Sequence, residues 1–104
     1  MEENNTKEVD KLITLALNSK QEGDLISAEF NLKKALKIEP ENFIVFNNLG
    51  NIYSIKNELK KAKDSFSRAI NIKQDYSTAI FNLALVNEEM GNKNVAVELY
   101  KNAI

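Results

Sequence analysis

Few side chains in this chain could do chemistry, and their spacing works against it. Glu88 and Glu89 are adjacent carboxylates, the groups that general acid–base catalysis or a hard metal ion would use. On a helix, successive side chains diverge by about 100 degrees, so this pair suits solvation better than a shared proton or cation. With no His and no Cys in 104 residues, imidazole bases, thiolate nucleophiles, disulfides and the commonest zinc ligands are excluded together. The three Gly are isolated, which leaves no phosphate-cradling loop, and no Ser stands beside an evident base. The expectation is a chain that is not an enzyme and has no metal and no cofactor. Lys56, Lys60, Lys61, Lys63 and Arg68 form a cationic cluster without interleaved aromatic residues. Lys61 and Lys63 point to different sides of a helix, so the cluster reads as a solvated face rather than a nucleic-acid surface.

The composition agrees. Fourteen basic residues face 15 acidic ones, a net charge of −1, and recognition of nucleic acid or anionic membrane begins with a basic field that this chain lacks. The charge is uneven: residues 1–42 carry six basic and nine acidic groups, residues 43–76 six and three, and residues 77–104 two and three. The opening residues, Met1 to Glu8, are polar and acidic where a secretory signal needs a basic end and an apolar run, and no apolar stretch reaches membrane length. A soluble, cytoplasmic chain is expected.

What positions the side chains is a repeat. Shifting the sequence by 34 residues superimposes Leu15, Leu49 and Leu83; Ala28, Ala62 and Ala96; and Ala35, Ala69 and Ala103. Residue class is kept at Leu12, Phe46 and Ile80, at Ala16, Gly50 and Ala84, and at Leu32, Phe66 and Tyr100. Within a unit the apolar spacing is helical: Phe46, Leu49 and Tyr53 step by three and four, as do Leu59, Ala62, Phe66, Ala69 and Ile70. Gly23-Asp24, Asn57-Glu58 and Gly91-Asn92 tolerate the left-handed conformation that ends a helix, while Glu39-Pro40-Glu41-Asn42 and Gln74-Asp75-Tyr76-Ser77 supply stops and polar caps. Helices are predicted at about residues 7–22, 25–38, 43–56, 59–72, 77–90 and 93 to the end. Gly50 and Ala62 are expected to let two helices approach closely, with Phe66 and Tyr53 filling the flanks.

Phe46-x2-Leu49-Gly50-x2-Tyr53 followed by Ala62-x3-Phe66-x2-Ala69 resembles the tetratricopeptide repeat, with Phe46 where the family often has Trp. The resemblance implies an all-α, right-handed solenoid of antiparallel helix pairs. A polar segment, 1–8, is followed by three repeats at 9–42, 43–76 and 77–104, the last incomplete. It also implies a protein–protein interaction scaffold that binds an extended peptide in a concave groove lined by the first helix of each unit. By the family's pattern the groove includes Ile13 and Leu17; Ile44, Asn47, Asn48 and Asn51; and Phe81, Asn82 and Leu85, beside exposed Asp10, Thr14, Gln21, Ile55, Thr78 and Glu89. Some members hold acidic chaperone tails with a clamp of two Lys, an Arg and two Asn. Here the corresponding positions are Ile13, Leu17, Asn48, Thr78 and Asn82, and only Asn48 agrees, so that use is rejected. Asn48 and Asn82 better resemble an asparagine ladder, in which an amide donates to one peptide carbonyl and accepts from one peptide N–H. Ile13, Leu17, Ile44, Phe81 and Leu85 would add apolar pockets.

Two further surfaces stand out. Tyr100, Ala103 and Ile104 belong to a face that such an array normally covers, so either the chain is a piece of a longer protein or another copy self-associates there. Ile26 and Phe30 lie at i, i+4 where the second repeat has Lys60 and Asp64, a second candidate contact patch. The alternatives to a peptide scaffold are a helper or targeting domain of a larger enzyme and a self-associating structural unit.

Overall fold

Why each helix stops is visible in the turns. In the computed structural model, which describes residues 2–104 with side chains from Asn4 onward, six helices follow one another: α1 (Glu2–Gln21), α2 (Leu25–Ile38), α3 (Phe43–Ile55), α4 (Leu59–Ile72), α5 (Ser77–Glu89) and α6 (Lys93–Ala103). Gly23, Asn57 and Gly91 sit at equivalent places between the paired helices with φ of 84°, 61° and 87°. The next N–H then reaches back to the carbonyl five residues earlier: Asp24 to Ser19, Glu58 to Tyr53 and Asn92 to Asn87, each at 2.8 Å. This satisfies helix-end carbonyls identically three times. Asp24 then caps α2 by accepting from the Ser27 N–H at 3.0 Å, and Asn42 caps α3 by accepting from the Val45 N–H at 3.1 Å.

The expected helices match to within a residue at every other boundary, but α1 begins at Glu2, five residues before the predicted start. Residues 2–8 are therefore the opening of α1 rather than a segment apart from it, with Met1 outside the described residues. Those residues carry no apolar period, and helix continues through them outward from the fully buried Val9. Ser77 is not a cap. Tyr76 occupies that position without a side-chain cap bond, its ring 5.0 Å from Phe43 in an edge-on contact, so aromatic packing takes the place of capping there.

The helices pair as α1 with α2, α3 with α4 and α5 with α6, and the pairs stack through α2–α3, α4–α5 and α3–α5 into an elongated body of 43 × 28 × 18 Å. Ala28, Ala35, Ala62, Ala69 and Ala96 are all buried, which lets the second helices press against their neighbours. Gly50 differs from its expected role. A Cβ built there would lie 2.6 Å from Phe66 Cδ1 and 2.7 Å from Cζ, so what it would meet first is the Phe66 ring. At the equivalent positions the first repeat has Ala16 and the smaller Leu32, both buried in the core.

Leu15 departs from the period. It is 43% exposed, whereas its equivalents Leu49 and Leu83 are buried. In α3 the stripe Val45, Leu49 and Ile52 is buried, as is the corresponding stripe of α5, Ala79, Leu83 and Val86; in α1 that stripe reads Lys11, Leu15 and Asn18. Within this chain no repeat packs on that side of α1, and two of the three positions are polar accordingly.

Two stability measurements follow. Phe66→Ala should cost about 3 to 5 kcal/mol, read as a fall in the melting temperature by circular dichroism. Gly50→Ala should destabilise by about 1 to 3 kcal/mol although Ala is the better helix former, and combining it with Phe66→Leu should recover part of the summed loss. A Gly50→Ala protein that gains stability would show that the ring does not lie on the glycine.

Candidate functional site

The outer faces of α1, α3 and α5 carry the residues singled out in the sequence, and the 34-residue period arranges them in rows. One row runs Leu17, Asn51, Leu85; another Ile13, Asn47, Phe81; a third Thr14, Asn48, Asn82. Leu17, Ile44, Ile55, Phe81 and Leu85 are all exposed, Asn48, Asn51, Asn82 and Ile13 half-buried. Asn47 does not fit the expectation of an exposed position: it is only 5% exposed, and its Oδ1 accepts from Asn82 Nδ2 at 3.0 Å. That bond ties α3 to α5, so Asn47 is a brace, and it leaves the Asn82 carbonyl oxygen without a partner among the described residues. The side chains of Asn48 and Asn51 likewise make no hydrogen bond within the described chain.

The surface is therefore a central amide cluster with apolar groups on either side: Ile13 and Leu17 on α1, Phe81 and Leu85 on α5, and Ile44 and Ile55 toward the two ends of α3. It is an open face. Clefts lie at its margins, one of about 580 Å³ between α4, α5 and α6 beside Ile70, Ile80 and Leu99, and one of about 680 Å³ between the starts of α1 and α3 that reaches Ile44. An open amide face suits a chain laid across it better than an enclosed small molecule. Among the described residues no cluster of acidic side chains could hold a metal ion, and no helix is long and apolar enough to cross a membrane.

The strongest electrostatics lie away from this face and were not anticipated, although Glu29 and Lys33 at i, i+4 were legible as a pair. Glu29 on α2 accepts from Tyr53 Oη at 3.2 Å and pairs with Lys33 at 2.8 Å and Lys56 at 3.0 Å, joining the first repeat to the second. Burial raises the Glu29 pKa, but the hydrogen bonds and charges of Lys33 and Lys56 outweigh it and hold the carboxyl at about 2. Burial, reinforced by the Glu29 carboxylate, pushes the Tyr53 hydroxyl up. The lysine cluster is dispersed by the same contacts: Lys56 bridges Glu29 and Glu58, Lys61 reaches Glu58 at 3.3 Å, and Arg68 stacks 5.6 Å from the Phe46 ring centroid.

At the far end, Tyr100 lies 5.5 Å from Phe81, edge-on, and its hydroxyl donates to Glu88 at 2.7 Å. With Thr78, Asn82, Ala103 and the fully exposed Ile104 they line a cleft of about 490 Å³ that adjoins the amide face at α5. Ile26 and Phe30 on α2 stand 80% and 66% exposed.

Stacked helix hairpins with a 34-residue period define an all-α repeat solenoid. The chain belongs to the tetratricopeptide repeat family: models of that repeat match residues 31–64 and residues 12–42 and 77–104. No curated protein matches it. Among solved structures, MamA is 28% identical with a TM-score of 0.85 over 92% of this chain and 56% of its own. The Sgt2 repeat domain of Aspergillus fumigatus is 27% identical with a TM-score of 0.89 over 92% of this chain and 64% of its own. The chain thus spans just over half to just under two thirds of these two relatives. The first such domain of Spaghetti (RPAP3), solved with the HSP90 peptide SRMEEVD, shares the fold at 14% identity, with a TM-score of 0.89 over 93% of this chain and 77% of its own. The fold is a general protein–protein interaction module.

The Glu29 cluster predicts acid sensitivity. Its folded pKa lies below the ordinary 4.5, so its stabilisation is complete above about 4.5 and is lost as pH falls toward about 2. Glu29→Gln should cost on the order of 1 to 3 kcal/mol near neutrality, and the gap to the parent should close at the acid end of that window. Urea midpoints measured across that range test this.

Proposed function

We propose that the outer faces of α1, α3 and α5 form a groove that binds an extended peptide segment, with Asn48, Asn51 and Asn82 gripping its backbone. The observation that supports this most is the pair of unpartnered amides, Asn48 and Asn51, on a face whose flanks are exposed apolar side chains. An amide can satisfy both a carbonyl and an N–H of a passing strand, which an extended peptide needs and a helix, with its backbone already bonded, does not. The peptide SRMEEVD bound by the Spaghetti domain, with three acidic residues, is a poor model for the ligand, because none of the lining positions here carries a cation.

Replacing Asn48 and Asn51 together with Ala should weaken a peptide selected from a displayed random library by about 1 to 3 kcal/mol without loss of helicity. Because neutral amides do the gripping, titrations at rising salt should leave the affinity nearly constant. A peptide indifferent to these amides but lost on replacing Lys60 and Lys61 would move the site to the opposite face.

A second reading is favoured by the apolar cleft of Phe81, Tyr100, Ala103 and Ile104. We propose that two copies associate through it. The opposite edge of the stack presents Lys11 and Asn18 at its seam positions and would bury them in a head-to-tail contact, so the copies would meet through like edges about a two-fold axis. Sedimentation should show mass rising with concentration and Ile104→Ser suppressing the rise. A monomer throughout would remove this reading.

A further inference from the structure

The row Leu17, Asn51, Leu85 places an exposed apolar side chain, a half-buried amide and another exposed apolar side chain at the same site of three consecutive repeats. Ile13 stands one turn from Leu17, and Phe81 one turn from Leu85, so each outer helix offers a two-residue apolar seat. α3 packs on α5, and α1 is joined to α3 through α2; with helices about 10 to 12 Å across, two such steps put the α1 and α5 seats roughly 20 Å from each other. An extended chain advances about 3.3 Å per residue, so about six residues bridge them. An even spacing also puts both side chains on the same side of a strand, while an odd one turns the second anchor away.

Charge narrows the partner further. The fifteen groove positions of the family's pattern on α1, α3 and α5 contain Asp10 and Glu89 and no Lys or Arg. An acidic peptide would meet carboxylates at both borders and no counter-charge between them. Resting on the groove reading above, we infer that the preferred ligand is an internal stretch of extended chain, neutral or basic, with two large apolar residues about six positions apart and polar residues between them. Its anchors seat on Leu17 with Ile13 and on Leu85 with Phe81, while Asn51 and Asn48 hold the backbone that spans them.

The test uses synthetic fluorescein-labelled peptides, capped at both ends, with two Leu at varied separation in a Ser and Gln background, titrated by anisotropy against the full chain. Affinity should peak near a separation of about six and fall about tenfold at the odd separations on either side. Placing Glu between the anchors should weaken the best peptide, and Lys should not. Leu17→Ala and Leu85→Ala, both at exposed positions, should each erase the spacing preference with helicity unchanged by circular dichroism. Equal affinity at all separations, but still lowered by the Asn48 and Asn51 replacements, overturns this inference and leaves the groove reading standing. Binding that ignores both the leucines and the asparagines overturns both. No binding by any of the probes overturns the inference.

Discussion

A helix hairpin of this length cannot bury its apolar stripe by itself, and that constraint organises the molecule. Each pair hides one side of its helices internally and must offer the other to the next pair. Phe66 shows how tight the arrangement is. At 1% exposure it is the largest fully buried side chain, and it fits only because Gly50 has no Cβ under its ring. The first repeat pairs Ala16 with the smaller Leu32, and the third pairs Ala84 with a Tyr100 that is only half-buried and turns to Phe81 and Glu88.

Pairing and stacking leave the outer side of each first helix free, and the period places that free side in rows. Function in such a fold is then a matter of which residues stand in the rows. Here, in the three central rows, the middle repeat contributes Asn47, Asn48 and Asn51, and the outer ones contribute Ile13, Leu17, Phe81 and Leu85 beside Thr14 and Asn82. The Asn82–Asn47 bond adds rigidity where it counts, since it fixes α5 against α3 beneath the face that would hold a ligand. The charged cluster at Glu29 works on the opposite side of the stack, as a fastening between the first two repeats. The two ends are unlike: polar groups interrupt the seam stripe of α1, whereas α6 keeps Tyr100, Ala103 and Ile104.

The fold was almost wholly legible in the sequence, because a 34-residue period states the same packing requirement three times and chance cannot repeat it. Helix type, turn positions, the left-handed residues at Gly23, Asn57 and Gly91 and the buried alanines all follow from local sterics and periodicity, which need no knowledge of the neighbours. The exposure of most of the outer rows followed too. What a period cannot say is where symmetry breaks. Leu15 is exposed although Leu49 and Leu83 are buried, since burial depends on a neighbouring repeat and the first has none before it in this chain. Asn47 reads as a groove residue in the pattern, yet only the approach of α5 brings Asn82 within 3.0 Å and turns it into a brace. The Gly50 contact was likewise misread as helix against helix, because one dimension shows that a small residue is required but not which atoms require it. Glu29 meets Tyr53 and Lys56 across more than twenty residues of chain, a distance at which only tertiary packing decides who is whose neighbour.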